Sequence, residues 1–150
     1  AQPLHVTHHH HGWVGANPHH YTTNYGFHAW IDGGFFRKTG GVQTEPLARR
    51  IRPARIVGDP LQADDLFRQM MAYLLETHKL VEPLYQLDQQ RKLSADNADH
   101  QAGREFLEAQ LVRGGQMLGD LWFSAWQQAT EDKYLIRNLT ERKALKGEKK

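Results

Sequence analysis

Hydrophobic residues recur at helical spacing in the second half of the chain, after residue 58. The first such pattern follows the dipeptide Asp59-Pro60, which is typical of a helix N-cap with proline at the first helical position. The spacing predicts a helix that reaches about His78 and continues toward Leu87, with a kink at Pro83. Its apolar positions are Leu66, Phe67, Met70, Met71, Leu74, Leu75, Val81 and Tyr85.

A second helical pattern predicts a long helix from about Gly103 to Thr130. The pair Gly114-Gly115 lies at its middle, where it either weakens the helix or lets a neighbouring backbone approach closely. The core residues predicted from this pattern are Leu118, Leu121, Trp122 and Trp126. On this basis Trp122→Ala is expected to cost about 3–5 kcal/mol of stability.

Residues 1–58 differ in composition and pattern: they are rich in Gly, His, Pro and aromatic residues, and they show turn signals and little sustained hydrophobic periodicity. They predict loops around short helices, and Arg55-Ile56-Val57 is the best of a few weak strand signals. The length suits a single domain. We therefore expect an all-α, mainly helical domain, in which residues 1–58 form a loop-rich metal-site segment and residues 59–150 a helical segment.

Composition and charge limit the kinds of metal site and binding partner that the chain can have. The chain has no cysteine, so disulfides and thiolate metal sites are excluded, and any zinc must be held by histidine and carboxylate. No apolar run approaches the roughly 20 residues that cross a bilayer. Residues 46–58 carry four arginines and no acid, and the part from Asp132 onward has seven Lys or Arg against three acids. The arginine run is open to three interpretations: phosphate contacts, a structural role or a solvated loop.

Six of the ten histidines lie in residues 7–20, THHHHGWVGANPHH. A purification tag, a solvated loop and part of a metal site are the three interpretations of this stretch. Four adjacent side chains cannot all face one ion, so at most one or two of His8 to His11 could bind metal. The residues on either side of the run therefore matter more than the run itself.

His28 and Asp32 are four residues apart, which on a helix places imidazole and carboxylate on one face, within reach of one divalent ion. A histidine hydrogen-bonded to an aspartate one turn away is the alternative interpretation of this spacing. His5, in a Pro-Leu-His turn, offers a third ligand. Three protein ligands with open positions are typical of catalytic rather than structural zinc.

Gln2-Pro3-Leu4-His5, a glycine- and aromatic-rich loop and then His28-Ala29-Trp30-Ile31-Asp32 resemble one family. It is the superfamily of fungal-type single-strand-specific nucleases and bacterial zinc-dependent phospholipases C, which are helical metalloenzymes. The resemblance implies that His5, His28 and Asp32 are the ligands of one centre in a trinuclear zinc cluster. The aspartate at position 32 is as in the nuclease branch, where phospholipases tend to have glutamate.

The resemblance also implies that the family's other ligands lie upstream of Ala1, among them a His-x-x-x-Asp and an N-terminal tryptophan. We therefore expect this chain to be the C-terminal part of such a protein and inactive alone. The intact protein is expected to be a secreted or periplasmic zinc-dependent phosphodiester hydrolase, nuclease-like, acting on single-stranded nucleic acid. The alternatives are a zinc-dependent phospholipase C that takes a phospholipid head group, and a non-enzymatic histidine-rich metal-binding module.

The remaining aromatic and histidine residues complete the expected site. Trp13, Tyr21 and Tyr25 are expected to bind substrate by lining the cleft, where base stacking contributes about 1–3 kcal/mol per base. Trp30 is a further candidate for the cleft, but its position between two ligands favours the core. His8 to His11 are expected at the rim of the metal cleft. His78 and His100 are expected at the surface or hydrogen-bonded in the core, and no residue is assigned to catalysis other than as a metal ligand.

Overall fold

A computed structural model describes residues 1–147, with side chains as far as residue 144. The described residues are mainly helical and contain no β-strand, which confirms the all-α prediction. A 3-10 helix, Pro3–Val6, precedes α1 (Phe27–Ala29), a π-helical turn (Trp30–Gly34), α2 (Phe35–Lys38), α3 (Thr44–Ala48), α4 (Asp65–His78), α5 (Val81–Gln89), α6 (Gln101–Gln128) and α7 (Lys133–Gly147).

The helical segment from Phe27 to Lys38 carries the π-helical turn in its middle. The backbone N–H of Trp30 donates to the carbonyl of Gly26 at 3.0 Å, as in an α-helix. The N–H of Phe35 donates to the carbonyl of Trp30, five residues back, so the ladder widens by one residue there. Such single π turns often lie at functional sites.

The core forms where this segment meets α5 and the first half of α6. Phe35, Leu84 and Tyr85 are completely buried, and Tyr85 lies against the rings of Phe27 and Tyr21. The core residues are Leu4, Tyr21, Phe27, Ile31, Phe35, Phe36, Val81, Leu84, Tyr85, Leu93 and Leu107. Leu4 and Tyr21 bring the loop-rich first part of the chain into the same core.

For the first predicted long helix, the predicted start and the predicted position of the kink are both wrong. α4 begins at Asp65 rather than at Pro60, because the Asp59 carboxylate accepts the N–H of Leu61 at 2.9 Å and holds a turn instead. The chain breaks at residues 79–80, ahead of Pro83. Proline then lies in the first turn of α5, where its missing N–H has no partner to lose.

α6 agrees closely with the second predicted helix, and its polar residues hold residues 52–57, the extended segment, against the helix. Gln116 Oε1 accepts the N–H of Arg52 at 2.8 Å, Asp120 Oδ1 that of Arg55 at 3.0 Å, and Ser124 Oγ that of Val57 at 2.7 Å. Residues 55–57 are thus extended, as the strand signal suggests, but they bind side chains of a helix instead of another strand.

The predicted core of α6 is wrong. Trp122 is 70% exposed and Trp126 71% exposed, Leu118 is exposed and Leu121 half-buried. The face of α6 that packs in this region carries Gln116, Asp120 and Ser124, so the apolar face points away from it. On α4, likewise, Leu66, Phe67, Met71, Leu74 and Leu75 are exposed.

Across the described residues, no helix combines the length and apolar character needed to cross a membrane.

At the glycine pair in α6, the close neighbours are side chains rather than backbone. A Cβ on Gly114 would lie 3.2 Å from Ala1 Cβ, and one on Gly115 would lie 3.0 Å from Ile51 Cδ1.

A matched pair of truncations tests this division between core and exposed faces. Phe35→Ala is expected to lower the free energy of unfolding by about 3–5 kcal/mol, because a completely buried ring is removed. Trp122→Ala is expected to change it by less than about 0.5 kcal/mol, because the indole is mostly exposed. Urea unfolding followed by circular dichroism measures both. Equal losses in the two variants would contradict the described packing.

The buried Tyr85 predicts a loss of stability at high pH. Burial raises the pKa of Tyr85 from 10 to about 12. The unfolded chain therefore ionises first, so stability is unchanged below pH 10 and falls between pH 10 and 12, by up to about 1.4 kcal/mol per pH unit. Urea midpoints at pH 9, 10 and 11 should fall less steeply in Tyr85→Phe than in the parent chain. Parallel slopes would show that Tyr85 ionises normally.

Candidate metal centre

Two separate elements bring three potential metal ligands together. His5 lies on the 3-10 helix Pro3–Val6, and His28 and Asp32 lie on the helical segment that contains the π turn. One ligand atom from each lies within 4.8 Å of the other two. His28 Nε2 is 3.2 Å from Asp32 Oδ2, and His5 Nε2 is 3.6 Å from Asp32 Oδ1. These are the three residues that the sequence analysis selects as ligands.

Gln2 fixes how the two elements meet. Its amide nitrogen donates to Asp32 Oδ1 at 2.9 Å, and its amide oxygen accepts the backbone N–H of Leu4, which caps the 3-10 helix. Leu4 itself is fully buried and anchors the turn in the core. One glutamine therefore couples the orientation of the Asp32 carboxylate to the position of the His5 turn. The sequence pattern did not predict that Gln2 orients Asp32. A polar residue directly before Pro-Leu-His is nevertheless a usable signal for a helix cap.

His28 is the most enclosed of the three ligands. Its Nε2 atom is buried and makes no hydrogen bond, since the nearby Asp32 oxygen is not aligned with it. Burial lowers the pKa of His28; Asp32 opposes this effect, and His5, His11 and His10 add to it. The imidazole is therefore held neutral, which is the form that binds metal, with a ring nitrogen that has no other partner.

The spacing of the ligand atoms suits a divalent ion. Two atoms each about 2.1 Å from a tetrahedral ion lie about 3.4 Å apart. The separations of 3.2 Å from His28 and 3.6 Å from His5 run to different oxygens of Asp32, and the three ligand atoms lie within 4.8 Å of one another. Two imidazoles and one carboxylate form a donor set that zinc accepts, with at least one position left for another ligand. The residues present therefore fit a metal ion once small side-chain movements bring one atom of each to coordination distance.

The histidine run divides between two sides of the loop. The ring centres of His11 and His10 lie 5.3 and 6.3 Å from that of His28, so this half borders the candidate centre as expected. His9 instead stacks on Trp13 at 3.9 Å, with His8 beside it, in a cleft shared with His78. The expectation that all four lie at the rim of the metal cleft is therefore wrong for His8 and His9.

The aromatic residues that were predicted to line the cleft lie in different places, some at the surface and some in the core. Tyr25 is 75% exposed and stacks on His11, near the ligands. Tyr21 is buried in the core and donates its hydroxyl to Glu82 at 2.9 Å, so the structure gives it no face toward a cleft. Trp13 is half-buried against Tyr85, and its indole N–H donates to a loop carbonyl. Trp30 packs on the core and donates to the carbonyl of Leu93 at 2.7 Å.

The other two histidines take no part in the centre. His100 Nδ1 lies 2.7 Å from the carbonyl oxygen of Asn97, and its ring meets Phe35 edge-on. His78 lies at the C-terminal end of α4, beside His8 and His9. Both positions agree with the expectation of a surface or hydrogen-bonded histidine.

An apolar cleft that the sequence analysis missed borders the candidate centre. Gln2 and Asp32 line one side of it, Arg37 lies at its wall, and its volume is about 570 Å³. Apolar side chains from the π-turn segment, the loop after α2 and α6 supply most of the remainder, including Ile31, Phe36, Val42, Leu107 and Leu111. Its volume is typical of a small-molecule pocket.

The fold and the site define a helical protein with a two-histidine, one-aspartate candidate metal centre at the edge of its core. Comparisons of the chain with protein-family models, with curated proteins and with solved structures give no significant match. The geometry of the site and the sequence resemblance are therefore the two observations that bear on function.

Calorimetric titration with zinc tests the centre. The chain is expected to bind about one zinc ion more tightly than isolated histidines do, and His28→Ala should abolish that tight step, because three ligands become two. The double variant His8→Ala/His9→Ala is the matched control and should keep it, since these rings face away from His28. Loss of tight binding in the control alone would contradict the ligand assignment.

Proposed function

We propose that this chain carries one zinc site of a zinc-dependent phosphodiester hydrolase of the single-strand nuclease type. The observation that carries the proposal is the convergence of His5, His28 and Asp32, with ligand atoms within 4.8 Å of one another. The resemblance of the two ligand motifs to the nuclease and phospholipase C superfamily supports the reaction class. The aspartate at position 32 supports the nuclease branch.

The residues of the chain have separate roles in this proposal. His5, His28 and Asp32 hold the ion, and a bound zinc ion supplies Lewis-acid stabilisation of the charge that a phosphate oxygen develops. Gln2 orients the Asp32 carboxylate through its hydrogen bond. Such orienting hydrogen bonds are commonly worth 10- to 100-fold in metal affinity or activity. Tyr25 is the exposed ring placed to stack on a base, and Trp13 contributes only its partly exposed edge.

The exposure of the ligands supports a reactive site over a storage site. The side chains of His5 and Asp32 are 56% and 45% exposed, so a phosphodiester can reach an ion held there. Structural zinc is usually enclosed by four protein ligands. By resemblance, enzymes of this superfamily use up to three zinc ions, and His5, His28 and Asp32 would hold one of them.

A zinc-dependent phospholipase C is the second candidate function, and the apolar cleft beside Asp32 favours it. A cleft of about 570 Å³ with mainly apolar walls suits the hydrocarbon part of a lipid better than the polar edge of a base. Both candidates share the phosphodiester bond and the proposed zinc site. They differ in the substrate group that lies outside that site.

An activity assay with several substrates tests the proposal. The 150-residue chain and a longer form, containing any coding sequence before Ala1, are each given single-stranded DNA, RNA and phosphatidylcholine, with and without chelator. We expect zinc-dependent cleavage near neutral pH from the longer form only, because one ion cannot serve both the attacking water and the phosphate. His28→Ala in that form should lower the rate by at least about 100-fold, the scale for losing a charge-stabilising group.

Each outcome of this assay has a defined meaning. Chelator-sensitive cleavage by the 150-residue chain would contradict the expectation that it is inactive alone. Cleavage of phosphatidylcholine but of neither nucleic acid would select the phospholipase. A zinc-loaded longer form that cleaves none of the substrates would refute the hydrolase and favour a metal-binding module.

A further inference from the structure

Four arginines surround a second cleft, on the side of α6 that holds the extended segment. Arg50, Arg52 and Arg55 come from the turn after α3 and the extended segment, and Arg113 comes from α6. The cleft has a volume of about 340 Å³, and Asp120 is the one carboxylate that lines it within the described residues. Even with Glu108 near Arg50 and Glu76 near Arg113, the four guanidinium groups outnumber the acids around them, so the cleft has a net positive charge.

The backbone under these arginines is held in place. The N–H groups of Arg52 and Arg55 donate to Gln116 and Asp120, and Asp120 also accepts from the Gln116 amide at 2.9 Å. Because α6 satisfies the backbone, the arginine side chains are left to face solvent. Arg55 is 78% exposed and Arg50 46% exposed along their side chains. The backbone that carries these arginines is therefore fixed against α6.

Internal ion pairs leave much of this charge uncompensated. Arg50 lies 3.6 Å from Glu108 and Arg55 lies 3.5 Å from Asp120, both longer than a charge-assisted hydrogen bond. Arg52 has no carboxylate within 4.0 Å in the described part of the chain. Arg113 stacks over the Tyr73 ring at 4.6 Å and donates to the Tyr73 carbonyl, which orients it without neutralising it.

We propose that this arginine cleft binds the phosphate backbone of single-stranded nucleic acid, outside the candidate metal centre. The planar guanidinium donates paired hydrogen bonds that match phosphate oxygens, and a single strand is thin enough to enter a concave cleft. A bilayer surface cannot follow that concavity. The inference deepens the proposed nuclease function and depends on it for the choice of nucleic acid.

The cleft and the metal centre are joined by contacting residues. Gln2 binds Asp32, the neighbouring Ala1 packs on Gly114, and Arg113 precedes Gly114 on α6. A strand whose phosphates lie along the arginines therefore has a short route over α6 to the metal ligands. Binding there adds affinity that does not depend on sequence, and it holds the strand near the site.

Binding is tested in EDTA, so that neither zinc nor cleavage contributes. Fluorescence anisotropy of a labelled oligo-dT is measured with the 150-residue chain between 50 and 200 mM salt. Arg50→Gln/Arg52→Gln is expected to weaken binding about tenfold at the lowest salt. It should also reduce the slope of log K against log salt by about 1.4, the value for two lost single-strand phosphate contacts. Neither substitution removes a partner of the buried Asp120, and circular dichroism verifies the fold.

The matched control is Arg137→Gln/Arg142→Gln on α7, which makes the same charge change elsewhere. An equal loss in both double variants would show that affinity follows net charge alone and would overturn the proposal. Arg50→Lys/Arg52→Lys should restore most of the salt slope, because the charge returns. Anionic phosphatidylserine vesicles test the choice of partner. If the chain binds them more strongly than oligo-dT, and Arg50→Gln/Arg52→Gln removes that binding, the choice of nucleic acid is overturned. Because the assay is metal-free, loss of zinc-dependent cleavage with intact binding would refute only the hydrolase.

Discussion

The candidate site depends on one helical segment that must bury an aromatic stripe and present metal ligands. Phe27, Ile31 and Phe35 recur four residues apart and are all buried. His28 and Asp32 have the same spacing one position later, and one residue turns a helix by about 100°. The ligands therefore flank the buried stripe at the rim of the core. Packing that fixes the stripe also fixes the ligands, with His28 half-buried and Asp32 exposed.

The histidine-rich loop takes its position from the same core. The Tyr85 hydroxyl donates to the carbonyl of His9, and the backbone N–H of Trp13 donates to that of Thr22 at 2.8 Å. Between them Gly12 has φ +107°, and a Cβ there would lie 2.6 Å from the backbone of Thr23, so only glycine fits. Within the loop so positioned, His10 and His11 lie near His28, whereas His8 and His9 lie in the cleft with His78.

The sequence predicted what depends on local spacing and missed what depends on which faces meet. The spacing of His28 and Asp32 and the extent of α6 are local properties, and both agree with the structure. Helical periodicity shows that a helix has an apolar face, but it does not say what covers that face. Periodicity alone therefore predicts that Trp122 lies in the core. In the structure it is exposed, and the polar Asp120 and Ser124 contact the extended segment instead. Tyr21 was misplaced for a related reason, since an aromatic ring in a loop suits a cleft and a core equally.

The partners of Asp32 and His28 explain how a weak four-residue motif becomes a usable site. His28 Nε2 lies 3.2 Å from Asp32 Oδ2, as expected for residues four apart on one helical face. Here the ladder widens between Trp30 and Phe35, and Gly34 lets the Trp30 ring lie where a Cβ would be only 2.8 Å away. Gln2 takes one oxygen of Asp32, and His28 keeps a buried nitrogen without a hydrogen bond. An unsatisfied buried nitrogen costs free energy in the metal-free protein, and a bound cation is the simplest partner that would recover it.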